Sequence, residues 1–79
     1  MKKYEVTDSR GRVHKRGTKN RIYRYCVVAH ELSVEENGKS LYWSPQTSWA
    51  GSHGLAVARK KTFVNQGYKD VEILFAEEV

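Results

Sequence analysis

The stretch richest in β-branched and aromatic residues lies between Ile22 and Leu32, reading Ile22-Tyr23-Arg24-Tyr25-Cys26-Val27-Val28-Ala29-His30-Glu31-Leu32. No Gly or Pro breaks it, and it predicts a central strand. Alternation divides it into two faces. Ile22, Arg24, Cys26, Val28, His30 and Leu32 share one; Tyr23, Tyr25, Val27, Ala29 and Glu31 share the other. Both are partly apolar, so each needs a covering layer or a partner.

Asn37-Gly38 follows as a hairpin turn signal. With those two residues as the turn, Val34 opposes Leu41, Ser33 opposes Tyr42, Leu32 opposes Trp43 and Glu31 opposes Ser44. Opposed residues share a face, so the Cys26 face gains Val34, Leu41 and Trp43, and the tyrosine face gains Tyr42. A slip of one residue would mix the two sets, which supports the register. Pro45 ends the second strand because it cannot donate to the ladder.

Gln46 to Gly51 reads as a connection, and Ser48 or Ser52 as the cap of a helix over residues 55–66 stopped by Gly67. Its apolar stripe is Ala56, Val57, Phe63 and Val64 with Lys60 inside it, or Leu55, Ala56, Thr62 and Phe63 with Arg59 inside it. Either way one long cation must snorkel. Asp70 to Ala76 alternates cleanly, with Val71, Ile73 and Phe75 on one side. Upstream, Tyr4 and Val6 mark a short strand within residues 3–7. Asp8-Ser9-Arg10-Gly11 is turn chemistry, and residues 12–16 form at best an edge strand. Gly17 to Asn20 reads as a mobile loop.

The expected fold is therefore α+β: a small antiparallel sheet of three to five strands with one helix on one face, in the order (ββ)ββαβ. The 79 residues form a single domain, with 8–20 a basic, partly mobile hairpin or arm. The expected core beneath the helix is Ile22, Cys26, Val28, Leu32, Val34, Leu41, Trp43, Val71, Ile73 and Phe75. That leaves the tyrosine face open, or closed by the N-terminal segment or a second copy of the chain.

Charge adds direction. The net charge is +5, and seven of the 14 Lys and Arg (Arg10, Arg12, Lys15, Arg16, Lys19, Arg21 and Arg24) fall between positions 10 and 24 with no acid among them. This segregation favours an anionic partner, against the plain alternative of a solvated arm. Tyr23, Tyr25 and Tyr42 beside these cations suit single-stranded nucleic acid, where bases stack and phosphates pair. A basic sheet backed by one helix can also read duplex DNA. In topology the layout resembles the sheet-reading domains of plant ethylene-response factors and integrase arm-binding domains, though it lacks their motifs and adds a strand after the helix.

Catalytic and metal chemistry find little footing. His14, His30, His53 and Cys26 are the soft ligands, and Cys26 and His30 would stand about 13 Å apart along a strand. A zinc centre needs four converging donors, so no metal or cofactor is expected. Ser52-His53 is too local a pair for nucleophilic catalysis, and the expectation is a non-enzyme. Trp49 reads as a loop anchor under the helix or an exposed interaction residue. A single Cys, no apolar run of membrane-spanning length and no signal-peptide core give the expectation of a cytoplasmic protein without a membrane partner.

Two stretches resemble small accessory proteins of bacteriophages: residues 18–28, a basic-aromatic lead into a Val-rich strand, and Ser48-Trp49-Ala50-Gly51 before an Ala- and Lys-rich helix. Many such proteins bind and inhibit a host protein. The resemblance thus implies an alternative partner, an acidic surface of a host protein in the host cytoplasm. Self-association through the tyrosine-bearing sheet face is compatible with either partner.

Overall fold

The computed structural model describes the backbone of residues 1–36, 39–42 and 45–79, and the side chains outside 32–44. Along the chain run β1 (Lys2–Thr7), β2 (Val13–Thr18), β3 (Tyr25–Glu36), β4 (Lys39–Tyr42), β5 (Gln46–Ala50), α1 (His53–Asn65), β6 (Tyr68–Phe75) and β7 (Glu77–Glu78). The fold is the small antiparallel α+β architecture expected, with seven strands among the described residues against the expected three to five. The polar sequence of β5 read as a connection, and β7 is only two glutamates long.

β3 organises the molecule. Its first half lies between β5 and β6, with Val27 opposite Ser48 and Ile73, and its far end pairs with β4. Val34 opposes Leu41 and Ser33 opposes Tyr42, the register that the hairpin pattern predicted. The turn Asn37-Gly38 and the pairings to Trp43 and Ser44 lie outside the described residues, as do the side chains of Leu32, Val34, Leu41 and Tyr42.

The two faces of β3 are covered the other way round from expectation. The helix packs on the odd-numbered face, where Ala56 closes over Val27 and Ala50, with Tyr25, Phe63, Val71 and Ile73 around them. The cause lies in β6. Tyr25 opposes Phe75, Val27 opposes Ile73 and Ala29 opposes Val71, so the cleanly alternating apolar set of β6 joins the tyrosine face. Leu74 and Ala76 make the other face of β6 apolar too, and a strand apolar on both sides leaves its parity open.

The Cys26 face is closed by the N-terminal hairpin. Val6 packs on Cys26 and Val28, and Trp49, Leu74 and Ala76 complete this second core. Trp49 thus sits on β5 opposite Cys26, under the hairpin and not under the helix. With a layer on each side, Cys26, Val27, Val28 and Ala29 are all inaccessible to solvent, as in strands sandwiched between layers. Two expected core residues are not core: Ile22 is 57% exposed and Phe75 is 78% exposed.

Local chemistry explains the ends. Ser52 caps the helix by accepting from the Leu55 N–H at 3.3 Å, and Gly67 takes the left-handed conformation after it at φ 97°. The packed stripe narrows to Ala56 and Phe63, two turns apart and common to both predicted arcs, while Leu55 and Val64 are each 52% exposed. Lys60 and Arg59 are both exposed. In the first hairpin Gly11 takes φ 81°, and residues 17 and 18, expected in a loop, belong to β2. β7 pairs with β1 through Tyr4–Glu78 and Glu5–Glu77 and completes a three-stranded sheet in the order β2-β1-β7.

Candidate nucleic-acid interface

The hairpin β1–β2 carries most of the basic run, so what fixes the hairpin fixes the candidate surface. At its turn, Asp8 is buried and its carboxylate is fully engaged. Oδ1 accepts from the backbone N–H of Arg10 at 2.9 Å and of Arg12 at 3.0 Å, and Oδ2 meets His14 Nε2 at 2.7 Å. Burial alone would raise the Asp8 pKa. The bonds from His14 and from the Arg12 and Arg10 amides, with His30 nearby, outweigh burial and lower it to about 2. The turn is thus held by a carboxylate that stays ionised.

The same turn is tied to the main sheet. The Ser9 amide and hydroxyl both donate to Glu72 on β6, and Glu72 also accepts from His30 Nε2 on β3. Burial would raise the Glu72 pKa, but the Ser9 and His30 bonds lower it overall. Both carboxylates only accept, so His14 and His30 each carry a proton on Nε2. His30 is almost wholly buried, and its Nδ1 has no hydrogen-bond partner among the described residues and faces Asp8 Oδ2 across 3.9 Å. The sequence hid this cluster, because its members come from three elements and Glu72 lies 42 residues beyond His30. Among the described residues no group of three or more His, Cys, Asp or Glu is placed to hold a metal ion.

Arg10, counted with the binding cations from sequence, is a strut instead. It bridges Glu31 at 2.9 Å and Asp70 at 2.7 Å, and the bond to Glu31 is the main cause of its raised pKa. Arg12, Lys15, Arg16, Lys19, Arg21 and Arg24 are exposed. Lys15 opposes Glu5 on the outer side of the hairpin, where Lys3, Lys15 and Arg16 line a shallow depression of about 360 Å³. The Arg21 amide donates to Thr18 Oγ1, and the Arg21 carbonyl accepts from the Tyr4 hydroxyl.

The tyrosines do not form the open platform expected. Tyr23 is buried between Tyr4 and Trp49, at 5.6 and 6.1 Å between ring centroids, and Arg16 lies over its ring at 5.8 Å. Tyr25 is half-buried between His53 at the helix start and Phe75, at 5.5 and 5.4 Å. The backbone of Tyr42 lies in β4, remote in sequence from this end of the sheet, and its side chain is outside the described residues. The structure therefore joins Arg16 to Tyr23 and Tyr25 to Phe75, and it separates Arg10 from the set.

Cys26 is wholly buried, and burial pushes its thiol up to about 12, which leaves no thiolate for chemistry near neutrality. Among the described residues no helix is long and apolar enough to cross a membrane. Comparisons with protein families, with curated proteins and with solved structures each find no match. The reading of the surface rests on its own geometry.

Proposed function

We propose that this chain is a non-enzymatic nucleic-acid-binding domain that presents the β1–β2 hairpin and the segment leading into β3 to phosphate. One observation carries the reading. Arg10 is taken up by two acids of the main sheet, whereas Arg12, Lys15, Arg16, Lys19, Arg21 and Arg24 are exposed and, among the described residues, form no ion pair. A strut keeps its cation inside the protein; these six remain free for an outside anion. The hairpin is also held at both ends, by Asp8 and Ser9 at the turn and by the Tyr4–Tyr23–Trp49 stack at the other, so the cations ride on an ordered support.

Titration of a labelled oligonucleotide with the protein at several salt concentrations tests this. Binding whose logarithm falls linearly with log salt is expected, with a slope set by the number of phosphates engaged. No binding to either single-stranded or duplex nucleic acid at low salt rejects it. A second reading has its own observation. The outer side of α1 exposes Val64 and half-exposes Val57 between Lys60 and Lys61, an apolar strip rimmed by cations that suits an acidic protein surface. An adaptor or inhibitor of a host protein, of the kind small phage proteins supply, would dock there. It predicts a stoichiometric protein partner that survives nuclease treatment.

A further inference from the structure

We propose that the aromatic pair Tyr25–Phe75, at the end of the sheet where β3 begins and β6 ends, is a base-stacking platform that makes the domain select single-stranded over duplex nucleic acid. The inference rests on the proposed function and specifies its ligand. Phe75 continues the alternation of Val71 and Ile73, and on that pattern it belongs under the helix. Instead it is 78% exposed, because it opposes Tyr25 at the last rung of the ladder, and the helix packs over Val27, Val71 and Ile73, one rung and more further in. Tyr25 is braced on one side by His53 and leans on Phe75 at 39° between ring planes. The pair is thus a supported aromatic surface whose outer member has a free face.

The surroundings match one kind of ligand. Lys2, Arg24, Ile22 and Glu78 line a shallow depression of about 490 Å³ with the two rings, a net positive setting. Ile22, itself 57% exposed, also lines the neighbouring depression, which adds Arg21 and Arg59. Cations therefore lie on the Ile22 side of the rings, along a path that crosses the end of the molecule, while Glu5 and Glu77 line a depression on the other side of Phe75 and direct phosphates away from it. Bases offer a π-face to an aromatic ring only when they are unstacked, and phosphates then follow the cations. A duplex keeps its bases stacked and can offer this path only its phosphates. A purely apolar protein patch would match the rings but leave Lys2, Arg24, Arg21 and Arg59 without partners.

The test compares a fluorescein-labelled oligo-dT of about 15 nucleotides with a duplex of the same length by fluorescence anisotropy. The proteins are the unaltered chain and the variants Phe75→Ala, Phe75→Leu and Phe75→Tyr. Phe75 is mostly exposed, so all should fold, which circular dichroism checks. The unaltered chain should bind the single strand at least tenfold tighter than the duplex. Phe75→Ala and Phe75→Leu should each weaken single-strand binding by about 5- to 100-fold, leave duplex binding unchanged and keep the salt slope, whereas Phe75→Tyr should retain affinity. Equal affinity for the two forms, or a Phe75→Leu variant as good as the unaltered chain, overturns the platform while the phosphate-binding reading stands. Absence of binding to both oligonucleotides overturns both readings. Loss of a protein partner, and not of the oligonucleotide, on Phe75→Ala would assign the patch to a protein and also overturn the platform.

Discussion

Asp8→Ala should be among the most damaging single substitutions outside the two apolar cores. The carboxylate is inaccessible to solvent and receives three hydrogen bonds, two from backbone amides and one from His14 Nε2. A neutral intramolecular bond is worth about 1 kcal/mol net, and one to a charged group about 1.5–3 kcal/mol. Since the two amides sit in a turn at the surface, water can partly replace the carboxylate for them, which puts the loss at about 3–4 kcal/mol. A chain of 79 residues has a total stability of only about 4–12 kcal/mol. The assay is urea unfolding followed by tryptophan emission, which senses the hairpin because Trp49 lies beneath it. With a urea slope of about 1 kcal/mol per molar for so small a domain, the midpoint should drop by about 3 M. Asp8→Asn keeps an amide oxygen for the two backbone donors and removes the charge opposite His14, so it should lose about half as much. A loss under about 1 kcal/mol for Asp8→Ala would refute the argument that this carboxylate holds the turn.

Acid should act through the same groups. Asp8, at about 2 in the fold against 3.8 unfolded, and Glu72, also lowered, bind protons more weakly folded than unfolded. Their contribution is complete above the ordinary carboxylate range and is lost as pH falls from about 4 towards about 2. The urea midpoint should decline over that window, and less steeply in Asp8→Asn. Arg10→Ala, which removes a solvent-screened bridge to two partly exposed acids, should shift the urea midpoint only slightly and leave oligonucleotide affinity within a factor of two. Lys15→Ala with Lys19→Ala should reduce the salt slope by about two with little change in unfolding midpoint, because both side chains are exposed. Ala56→Leu should destabilise by about 1–3 kcal/mol through overpacking, since Ala56 is fully buried against Val27 and Ala50; a neutral thermal midpoint would show that the helix can ride up without penalty.

Much of the fold was legible where one local rule decided it. The register of Val34 against Leu41 is the one the Asn37-Gly38 signal predicts, the helix start follows from Ser52, and its end from Gly67. The assignment of faces was not legible in the same way. Alternation says which residues share a side of one strand, and it leaves undecided which side of β6 meets which side of β3 when both sides are apolar. Closure of the second sheet face by the N-terminal segment was only one of three options the sequence left open, because Val13 is the only apolar residue of β2. The hairpin nonetheless buries Tyr4 and Val6; it folds its turn around Asp8, bonded within six positions, and fastens itself to the main sheet with Ser9 and Arg10, polar residues whose partners lie 21 to 63 positions away. For the candidate surface, sequence found the cations and misjudged their company. Tyr23 went into the core, Arg10 became a strut, and Phe75 came out to solvent.

The pairing of β1 with β7 sets an order of events during synthesis. β1 borders β2 on one side and β7 on the other, and the Val79 amide reaches back to the Lys3 carbonyl. Until residues 77–79 emerge, β1 keeps an open edge, and the layer over Cys26 and Val28 also lacks Leu74 and Ala76. Lys2 and Lys3, repelling the same edge of a neighbouring copy, would hinder strand-to-strand association in the interval. Deletion of residues 76–79 should therefore reveal itself first as association between molecules and only second as a lower melting temperature.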